Sequence, residues 1–399
     1  MSGIFGTFCN SIHTQDKNKK KLILWNNAYG RDAKQIFEKN NIQIGCCLQM
    51  LATHTTTCPI LHMNSMYAAI DLLLYNREEL IIKCNAPTSI SNEELLLSYL
   101  IQFGMSALKD VNGDFSGVIY DENAQTLTLF RDHMGIRPLY YYADNSFMAF
   151  STDIRGLLGL DGVDSSLNED WIYRTLSGYF VDSVTSTEYQ NIFCVSPASY
   201  ITFSIKNEKI SQEIHSYWQL GKKKIHYTSF ELYKAKLKEL VMDSIQRRLQ
   251  AIPGKAGAEL SGGLDSGVIG ILIHRLGRDC VYFSWSVDPN EIPYADHDER
   301  LIIKDICKQE HIHCHYSQMK SDRSMNSLLA RQMQSLGFSL DENEPPALRY
   351  AMPPYINAMA LCDSCACMHE NGASVIFTGH GGDEGISHRS SPYEMFYHH

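Results

Sequence analysis

A short loop rich in serine and glycine constrains the fold of this chain more than any other feature. It reads Ser261-Gly262-Gly263-Leu264-Asp265-Ser266, after an apolar segment that ends at Leu260. A further apolar run, Val268 to His274, follows the loop. The first segment is typical of the end of a buried strand, and the second is typical of a helix. The sequence therefore predicts a strand–loop–helix unit whose loop opens onto a helix N-terminus.

Such a loop has the chemistry of an anion-binding site. Free backbone N–H groups in the first helical turn and the positive end of the helix dipole attract negative charge. Gly262 and Gly263 allow the backbone to approach a ligand closely. Ser261 and Ser266 offer hydroxyl donors, and Asp265 offers oxygen ligands for a divalent cation. We therefore predict a site for an anion such as phosphate at Leu260, Ser261, Gly262, Gly263, Leu264, Asp265 and Ser266.

The loop resembles the SGGxDS pyrophosphate loop of the N-type ATP pyrophosphatase superfamily. The Walker pattern is absent, because no lysine follows the glycines. The resemblance implies cleavage of ATP between its α- and β-phosphates and formation of an adenylated substrate, with ATP and Mg²⁺ as cofactors. The alternative is an ordinary Gly-Ser turn. A match at every fixed position between a strand and a helix disfavours that alternative.

Length and charge limit the remaining possibilities. With 399 residues the chain is long enough for two or three domains. A formal net charge of −10 argues against a nucleic-acid binder that acts through bulk electrostatics. No apolar run reaches membrane-spanning length, and the N-terminus lacks the basic region of a secretion signal. We therefore expect a cytoplasmic protein without nucleic-acid or membrane partners.

Two groups of cysteine and histidine have the residue types of a metal site. Cys362, Cys365 and Cys367 lie near His369, and residues 311–315 form the other group. No second C-x-x-C or H-x₃-H pair accompanies them, as zinc sites of this kind require. The first group also lies in an apolar, helix-like segment. We therefore interpret its cysteines as small buried apolar residues.

Residues 1–215 have the pattern of an α+β domain with many short strands. A helix is predicted from Ser91 to Phe103, with Ser91 or Asn92 as its N-cap. The predicted strands are residues 2–8, 42–48, 115–120, 126–130, 139–142, 147–151 and 200–204.

Two stretches of this region resemble the N-terminal glutaminase domain of asparagine synthetase relatives. They are residues 111–121 (VNGDFSGVIYD) and 130–141 (FRDHMGIRPLYY). The opening residues 2–6 (SGIFG) are similar to the start of that family, and Tyr217-Trp218 resembles its inter-domain pair. The resemblance covers most of the chain. It implies a four-layer αββα domain of the N-terminal-nucleophile type.

One departure from that family bears on activity. The family uses an N-terminal cysteine as nucleophile and its α-amine as base, whereas this chain has Ser2 there. Without a strong base beside it, a serine hydroxyl is a much weaker nucleophile than a thiol. Residues 49–54 lack the arginine of the family, and only Tyr75-Asn76 remains of its Asn-Gly-Glu-Ile-Tyr-Asn stretch. We therefore expect a scaffold that no longer hydrolyses glutamine.

A polar linker at residues 216–227 is predicted to join this domain to a second one, residues 228–399. Thr228-x-x-Glu231 has the pattern of a capping box at the start of a helix. Strand and helix patterns alternate beyond it, which predicts an α/β domain with a parallel, Rossmann-like sheet. The predicted strands are residues 256–260, 281–287, 313–316 and 374–378, and the later predicted helices are 267–276, 298–310, 323–336 and 353–370.

Ligands of such a sheet bind outside the C-terminal ends of its strands. The second strand of the domain would bring Ser284 and Val287 near the loop, and the resemblance implies that this edge holds adenine. A buried aromatic strand is the open alternative. The last strand leads into residues 378–384 (TGHGGDE), which resemble the second signature of the family, Ser-Gly-Glu-Gly-Ser-Asp-Glu. By that resemblance Thr378 and Gly379 contact ATP.

The second signature also supplies the predicted catalytic groups. The resemblance implies that Asp383 shares Mg²⁺ with Asp265, in the oxygen-rich site that this ion prefers. His380 stands where the family has a glutamate, and we predict that it contacts the adenylate or takes the proton of an attacking amine. The predicted catalytic residues are Asp265, Asp383, His380 and Glu384.

The motifs are most similar to those of lasso-peptide macrolactam synthetases and β-lactam synthetase, which draw the amine from their own substrate. The resemblance implies an AMP-forming ligase that adenylates a peptide or amino-acid carboxylate, with a precursor peptide and a leader-binding or protease protein as partners. An asparagine synthetase fed by glutamine or ammonia and a non-catalytic ATP- or peptide-binding module remain alternatives. Because family members continue into a helical C-terminal region, we also expect an ATP pyrophosphatase domain that is C-terminally incomplete.

Overall fold

The computed structural model describes residues 1–10, 15–27, 29–177, 184–221, 225–317 and 358–382. For residues 15–17, 19 and 358–363 the description is limited to the backbone. The chain forms two compact units. The first contains the described residues up to Gly221, and the second contains those from Ile225 onward.

The first unit contains two antiparallel sheets of six strands each. The strands are β1 Gly3–Cys9, β2 Ala33–Lys39, β3 Ile42–Leu48, β4 Leu61–Met63, β5 Met66–Leu74, β6 Gly113–Asp121, β7 Thr126–Arg131, β8 Tyr140–Ala143, β9 Phe147–Ser151, β10 Ile192–Cys194, β11 Ser199–Lys206 and β12 Lys209–Ser216. The strand order is β10-β8-β9-β1-β3-β2 in one sheet and β12-β11-β7-β6-β5-β4 in the other.

The helices of this unit are α1 Gln15–Asn26, α2 Arg77–Cys84, α3 Asn92–Phe103 and α4 Glu169–Leu176. Helices α1 and α3 pack on the outer faces of the two sheets, α2 packs against α3, and α4 has no buried residue. Leu22 of α1 packs with Phe5 of the first sheet, and Leu95 of α3 packs with Leu72 of the second. Between the sheets lies a core to which both contribute, including Ile4, Ile44, Phe150, Val118 and Leu129. The predicted αββα layering is confirmed.

All seven strands predicted for this unit are present, and their bounds agree within two residues. The N-cap of α3 is Ser91, whose hydroxyl accepts the N–H of Glu94 while the Glu94 carboxylate accepts the N–H of Ser91. The sequence analysis missed β5, because its sequence, MYAAIDLLL, is apolar on both faces except at Asp71 and shows no alternation. It also missed α1, α2, α4, β2, β4, β10 and β12.

The second unit contains one parallel sheet, as predicted, with the order β15-β14-β13-β16. Its elements are α5 Phe230–Ala251, β13 Lys255–Glu259, α6 Leu264–Arg275, β14 Cys280–Val287, α7 Glu299–Glu310, β15 Cys314–Ser317, α8 Ala358–Glu370 and β16 Ala373–Phe377. Ile245, Ile273 and Ile303 of α5, α6 and α7 pack together on one face of the sheet. Met368 of α8 packs on the other.

Two helix starts differ from the prediction. Helix α6 begins at Leu264, three residues early, so the loop shortens to residues 261–263. The capping box predicted at Thr228 is wrong, because Ser229 is the N-cap of α5 and no side chain caps that helix. Glu231 therefore occupies the second helical position, where it cannot complete the box. The predicted helix at residues 323–336 and the start of the one at 353 lie outside the described residues.

The cysteine group on α8 is less buried than predicted. Cys365 is exposed and Cys367 is half-buried, because the helix turns only one stripe, with Ser364 and Met368, toward the sheet. The side chain of Cys362 lies outside the described residues. Among the residues that are described, no group of three or more metal-ligating side chains is found. Likewise, none of the described helices is long and apolar enough to cross a membrane.

Candidate active site

The loop between β13 and α6 is held by its two serines. Ser266 Oγ accepts the N–H of Ser261 at 3.1 Å and lies 2.9 Å from Ser261 Oγ. Ser261 Oγ accepts the N–H of Gly263 at 3.2 Å. Ser266 is buried, whereas Ser261 is exposed. Both predicted hydroxyl donors therefore brace the loop, and only the hydroxyl of Ser261 also lies at the surface.

The two glycines of the loop have different structural roles. Gly262 has a φ of 83°, in the left-handed region that favours glycine. A Cβ at Gly262 would lie 2.6 Å from the carbonyl oxygen of Glu299 at the start of α7. Gly263 is the N-cap of α6, and in this described segment no side chain caps the helix. The positive end of the helix dipole therefore lies at this loop, where it attracts an anion, and Leu264 beside it is exposed.

The turn after β16 lies directly against Asp265. A Cβ on Gly382 would lie 2.4 Å from Asp265 Cγ, and a Cβ on Gly379 would lie 2.8 Å from the backbone N of Ser266. Gly382 N–H donates to the Gly379 carbonyl at 3.2 Å, which closes the turn. Only residues without a side chain fit at these two positions. The structure thus brings the two signatures together at the C-terminal ends of the adjacent strands β13 and β16.

The remaining residues of the second signature are placed in part. Thr378 Oγ1 accepts the N–H of His380 at 3.3 Å, and the His380 side chain is exposed. Asp383 and Glu384 lie outside the described residues. The magnesium site shared by Asp265 and Asp383, and the role of Glu384, stay predictions.

The two residues predicted to contact adenine, Ser284 and Val287, differ in burial. Ser284 is buried, and its hydroxyl accepts the N–H of Ser286 at 3.3 Å. Val287 is half-buried at the end of β14, and its carbonyl accepts a guanidinium N–H of Arg300 at 2.8 Å. The position of Ser284 favours the alternative of a buried strand for that side chain. The contact of either residue with adenine stays a prediction.

An ion pair that the sequence analysis missed fixes the segment after β14. Arg300 is buried, and its Nε lies 2.9 Å from Asp298 Oδ2. The same guanidinium donates to the Ile292 carbonyl at 2.9 Å. Hydrogen bonds from Arg300 hold the pKa of Asp298 well below its usual range. Asp298 is detectable in sequence as an N-cap, since its side chain accepts the N–H of Arg300. The backbone carbonyls that Arg300 contacts cannot be predicted from the sequence.

A buried carboxylate next to the loop was missed as well. Glu259, the last residue of β13, is 6% exposed, and its Oε1 accepts the indole N–H of Trp285 at 3.1 Å. Burial raises the pKa of Glu259, and the Trp285 hydrogen bond and the nearby His380 oppose that rise. A glutamate in an apolar strand pattern is the sequence signal that was available.

The first unit places Ser2 beside a second buried ion pair. Ser2 Oγ accepts the N–H of Gln49 at 3.1 Å, and the Ser2 backbone N–H donates to Asp71 Oδ1 at 2.8 Å. Asp71 on β5 is 5% exposed, and its other oxygen lies 3.4 Å from Arg137 Nε. The nearest ionisable partner of this serine is therefore an acid held by a guanidinium.

Comparison with known families matches both units. The glutamine amidotransferase domain family matches residues 1–218, and the asparagine synthase family matches residues 236–398. A putative glutamine-hydrolyzing asparagine synthetase 2 of Methanocaldococcus jannaschii is 26% identical over 322 residues, which cover 78% of this chain and 56% of the relative.

Relatives with other printed names match too. The amidase chry2 of Gibberella zeae is 26% identical over 310 residues, which cover 74% of this chain and 42% of the relative. The glutamine-hydrolyzing asparagine synthetase 3 of Bacillus subtilis is 29% identical over 219 residues, which cover 53% of this chain and 33% of the relative. The chain spans about half the length of curated relatives that it matches.

Proposed function

The chain belongs to the asparagine synthetase family, and from this membership we propose that it is an ATP-dependent ligase that forms an amide bond and releases AMP and pyrophosphate. One observation carries the proposal. The Gly379–Gly382 turn approaches Asp265 so closely that a Cβ on Gly382 would overlap the carboxylate. Two separate motifs meet there around one acidic side chain, at a helix N-terminus that no side chain of the described residues caps, and this arrangement suits the phosphates of a nucleoside triphosphate.

The residues present fit ATP and a magnesium ion. The loop at Ser261, Gly262 and Gly263 and the first turn of α6 would hold the phosphates through N–H groups and the Ser261 hydroxyl. Asp265 would hold Mg²⁺, with Asp383 as the proposed second ligand. The ion supplies positive charge that stabilises the departing pyrophosphate.

The reaction has two steps. A substrate carboxylate oxygen attacks the α-phosphorus of ATP, and the bond to pyrophosphate breaks. A substrate amine then attacks the acyl carbon, AMP leaves with the electron pair of the broken C–O bond, and the amine gives up a proton. We propose His380 as the proton acceptor, because its exposed ring lies in the turn that adjoins Asp265.

We further propose that the amine comes from the substrate and not from glutamine. If Met1 is removed, the amine of Ser2 donates a hydrogen bond to Asp71, and the Ser2 hydroxyl accepts the N–H of Gln49. Both groups are therefore already engaged within the unit, and a serine hydroxyl is a much weaker nucleophile than the thiol that it replaces. The first unit would then be a scaffold, which agrees with the altered residues 49–54.

The proposed substrate is a peptide that carries both the carboxylate and the amine, with a macrolactam as product. Similarity of the two signatures to those of lasso-peptide macrolactam synthetases supports this substrate class. Amide formation then becomes intramolecular, which removes much of its entropic cost. A precursor peptide is the proposed partner, together with a leader-binding or protease protein.

The proposal is tested by ATP–pyrophosphate exchange on the purified protein. Aspartate and a lasso-type precursor peptide serve as carboxylates, and Asp265→Asn is the control because it removes the charge with little change in shape. Exchange with the peptide alone, lost in Asp265→Asn, supports macrolactam formation. Exchange with aspartate alone supports the second candidate, an asparagine synthetase, which the printed names of two relatives favour. ATP binding without exchange would overturn both proposals and leave the non-catalytic module.

A further inference from the structure

We propose that Glu259 is a positioning residue for His380, which it holds through Trp285 and whose positive charge it balances when the imidazole takes the amine proton. The inference rests on the proposed ligase function and deepens it. It assigns a role to a buried side chain that neither signature contains.

Position on the sheet places Glu259 beside Trp285. Gly257 and Glu259 alternate with Ala258 along β13, so they face the side of the sheet covered by α8. A Cβ on Gly257 would lie 2.3 Å from the sulfur of Met368 of α8, which identifies that side. Trp285 also packs there, in the apolar cluster around Met368. Glu259 is therefore a carboxylate at the edge of an apolar layer, next to the phosphate loop.

Trp285 connects this carboxylate to the second signature. Its indole N–H donates to Glu259 Oε1 at 3.1 Å, and its ring centroid lies 5.8 Å from that of His380, at an interplanar angle of 41°. His380 belongs to the turn that adjoins Asp265. One indole thus contacts both ionisable groups, at the ends of three neighbouring strands, β14, β13 and β16.

The charges of the two groups act on each other. Burial raises the pKa of Glu259, and His380 is the ionisable side chain in the described part of the chain that opposes the rise. A buried carboxylate is costly unless it is paired. A positive charge on His380 therefore stabilises the ionised form of Glu259.

This pairing fits the second step of the proposed reaction. The new N–C bond forms as the C–O bond to AMP breaks, and the N–H proton of the amine moves to the His380 ring. The imidazolium charge is then balanced by Glu259. The first step, attack of a carboxylate on the α-phosphorus, needs no proton acceptor. Loss of the Glu259 charge should therefore affect the two steps unequally.

Glu259→Gln separates charge from packing, because the amide oxygen can still accept the Trp285 N–H. We expect ATP–pyrophosphate exchange to stay within about twofold of the unaltered protein and amide formation to fall at least about tenfold. Hydroxylamine, a stronger nucleophile, should trap the activated carboxylate at near-normal rate. The matched control is Glu370→Gln, which removes an exposed carboxylate at the end of α8.

Trp285 fluorescence gives a readout that is independent of activity. Emission that titrates with Glu259 should have a midpoint above the ordinary glutamate value and should disappear in Glu259→Gln and in Trp285→Phe. In His380→Asn the midpoint should rise further, because the opposing positive charge is gone. A merely structural Glu259 would leave the midpoint unchanged in His380→Asn.

The outcomes separate the two proposals. Absence of exchange in the unaltered protein defeats the ligase function, whereas the fluorescence midpoints still test the Glu259–His380 pair. Normal exchange with equal loss of both steps in Glu259→Gln, or with no loss at all, overturns the positioning role. If Glu259→Gln does not fold, an unchanged midpoint in His380→Asn overturns it alone.

Discussion

Gly382 shows at the scale of one residue how the two signatures depend on each other. Its missing side chain leaves the space that the Asp265 carboxylate occupies, 2.4 Å from where a Cβ would lie. The Gly382 N–H also closes the turn to Gly379. Glycine is needed at this position because there is no space for a methyl group.

We expect Gly382→Ala to reduce ATP–pyrophosphate exchange by about tenfold to a hundredfold, because Asp265 or the turn must move by an ångström or more. Gly221→Ala is the matched control, since a Cβ there meets no atom within 4 Å. Pyrophosphate exchange at saturating ATP checks the prediction. Equal rates in the two variants would mean that the two motifs need not stay in contact.

Ser266 is expected to matter for stability before it matters for binding. Its buried Oγ accepts the N–H of Ser261 and lies within hydrogen-bond distance of the Ser261 hydroxyl. Ser266→Ala should lower the free energy of unfolding of the second unit by about 1 kcal/mol, because the partly buried N–H of Ser261 loses its acceptor. Urea unfolding measures this. Ser229→Ala, at an N-cap whose side chain makes no capping bond, should change it by less than about 0.5 kcal/mol.

Glu93 makes the stability of the first unit depend on pH. Burial raises its pKa from 4.5 to about 7, although its carboxylate accepts the N–H of Thr56. Between these values the folded form binds the proton more tightly than the unfolded form does, so stability falls as the pH rises from about 4.5 to 7. The penalty is fully present above pH 7.

We expect Glu93→Gln to raise the free energy of unfolding at pH 8 by about 1 to 3 kcal/mol and to flatten its change between pH 5 and 7. The amide oxygen of the glutamine can still accept the N–H of Thr56, so the variant removes the charge and keeps this hydrogen bond. Urea unfolding at pH 5 and pH 8 gives both numbers. Glu78→Gln, an exposed residue in the first turn of α2, is the control. A variant less stable than the parent at pH 8 contradicts the argument.

At the scale of elements, the sequence pattern predicted those helices and strands whose formation depends on interactions between residues close in sequence. The strand–loop–helix unit, the parallel sheet and seven of the twelve strands described in the first unit follow from apolar period and turn residues. Strand β5 was missed because a strand buried on both faces carries no alternation. Helix α1 was missed because its first seven residues, QDKNKKK, are polar. The start of α6 at Leu264 depends on Gly263 as N-cap, which the pattern cannot distinguish from the neighbouring glycine.

The candidate site divides along the same line. Residues inside a motif, such as Asp265, were found from the loop itself. Glu259, Trp285 and the Asp298–Arg300 pair were not, because their partners are distant in sequence and are set by the register of β13, β14 and β16. Asp71 was missed for the same reason. It meets Ser2 only through the stacking of the two sheets.

At the scale of the whole molecule, the question is whether both units contribute chemistry. The first unit matches a glutamine amidotransferase family along its length, yet Ser2 lies beside Asp71 and Arg137. Restoring the nucleophile alone should therefore not restore the reaction. We expect Ser2→Cys to release no glutamate from glutamine, because the amine still donates its hydrogen bond to Asp71 and residues 49–54 still lack the arginine of the family.

Glutamate release is measured with the unaltered protein, Ser2→Cys, and Ser2→Cys with Asp71→Asn. Mass spectrometry of each preparation establishes whether Met1 is retained. Activity that appears only in the double variant, with Met1 removed, identifies Asp71 as the group that blocks the amine. Activity in Ser2→Cys alone contradicts the scaffold interpretation and favours an ammonia-delivering first unit. The substrate amine would then no longer be required, and the macrolactam proposal would give way to the asparagine synthetase alternative.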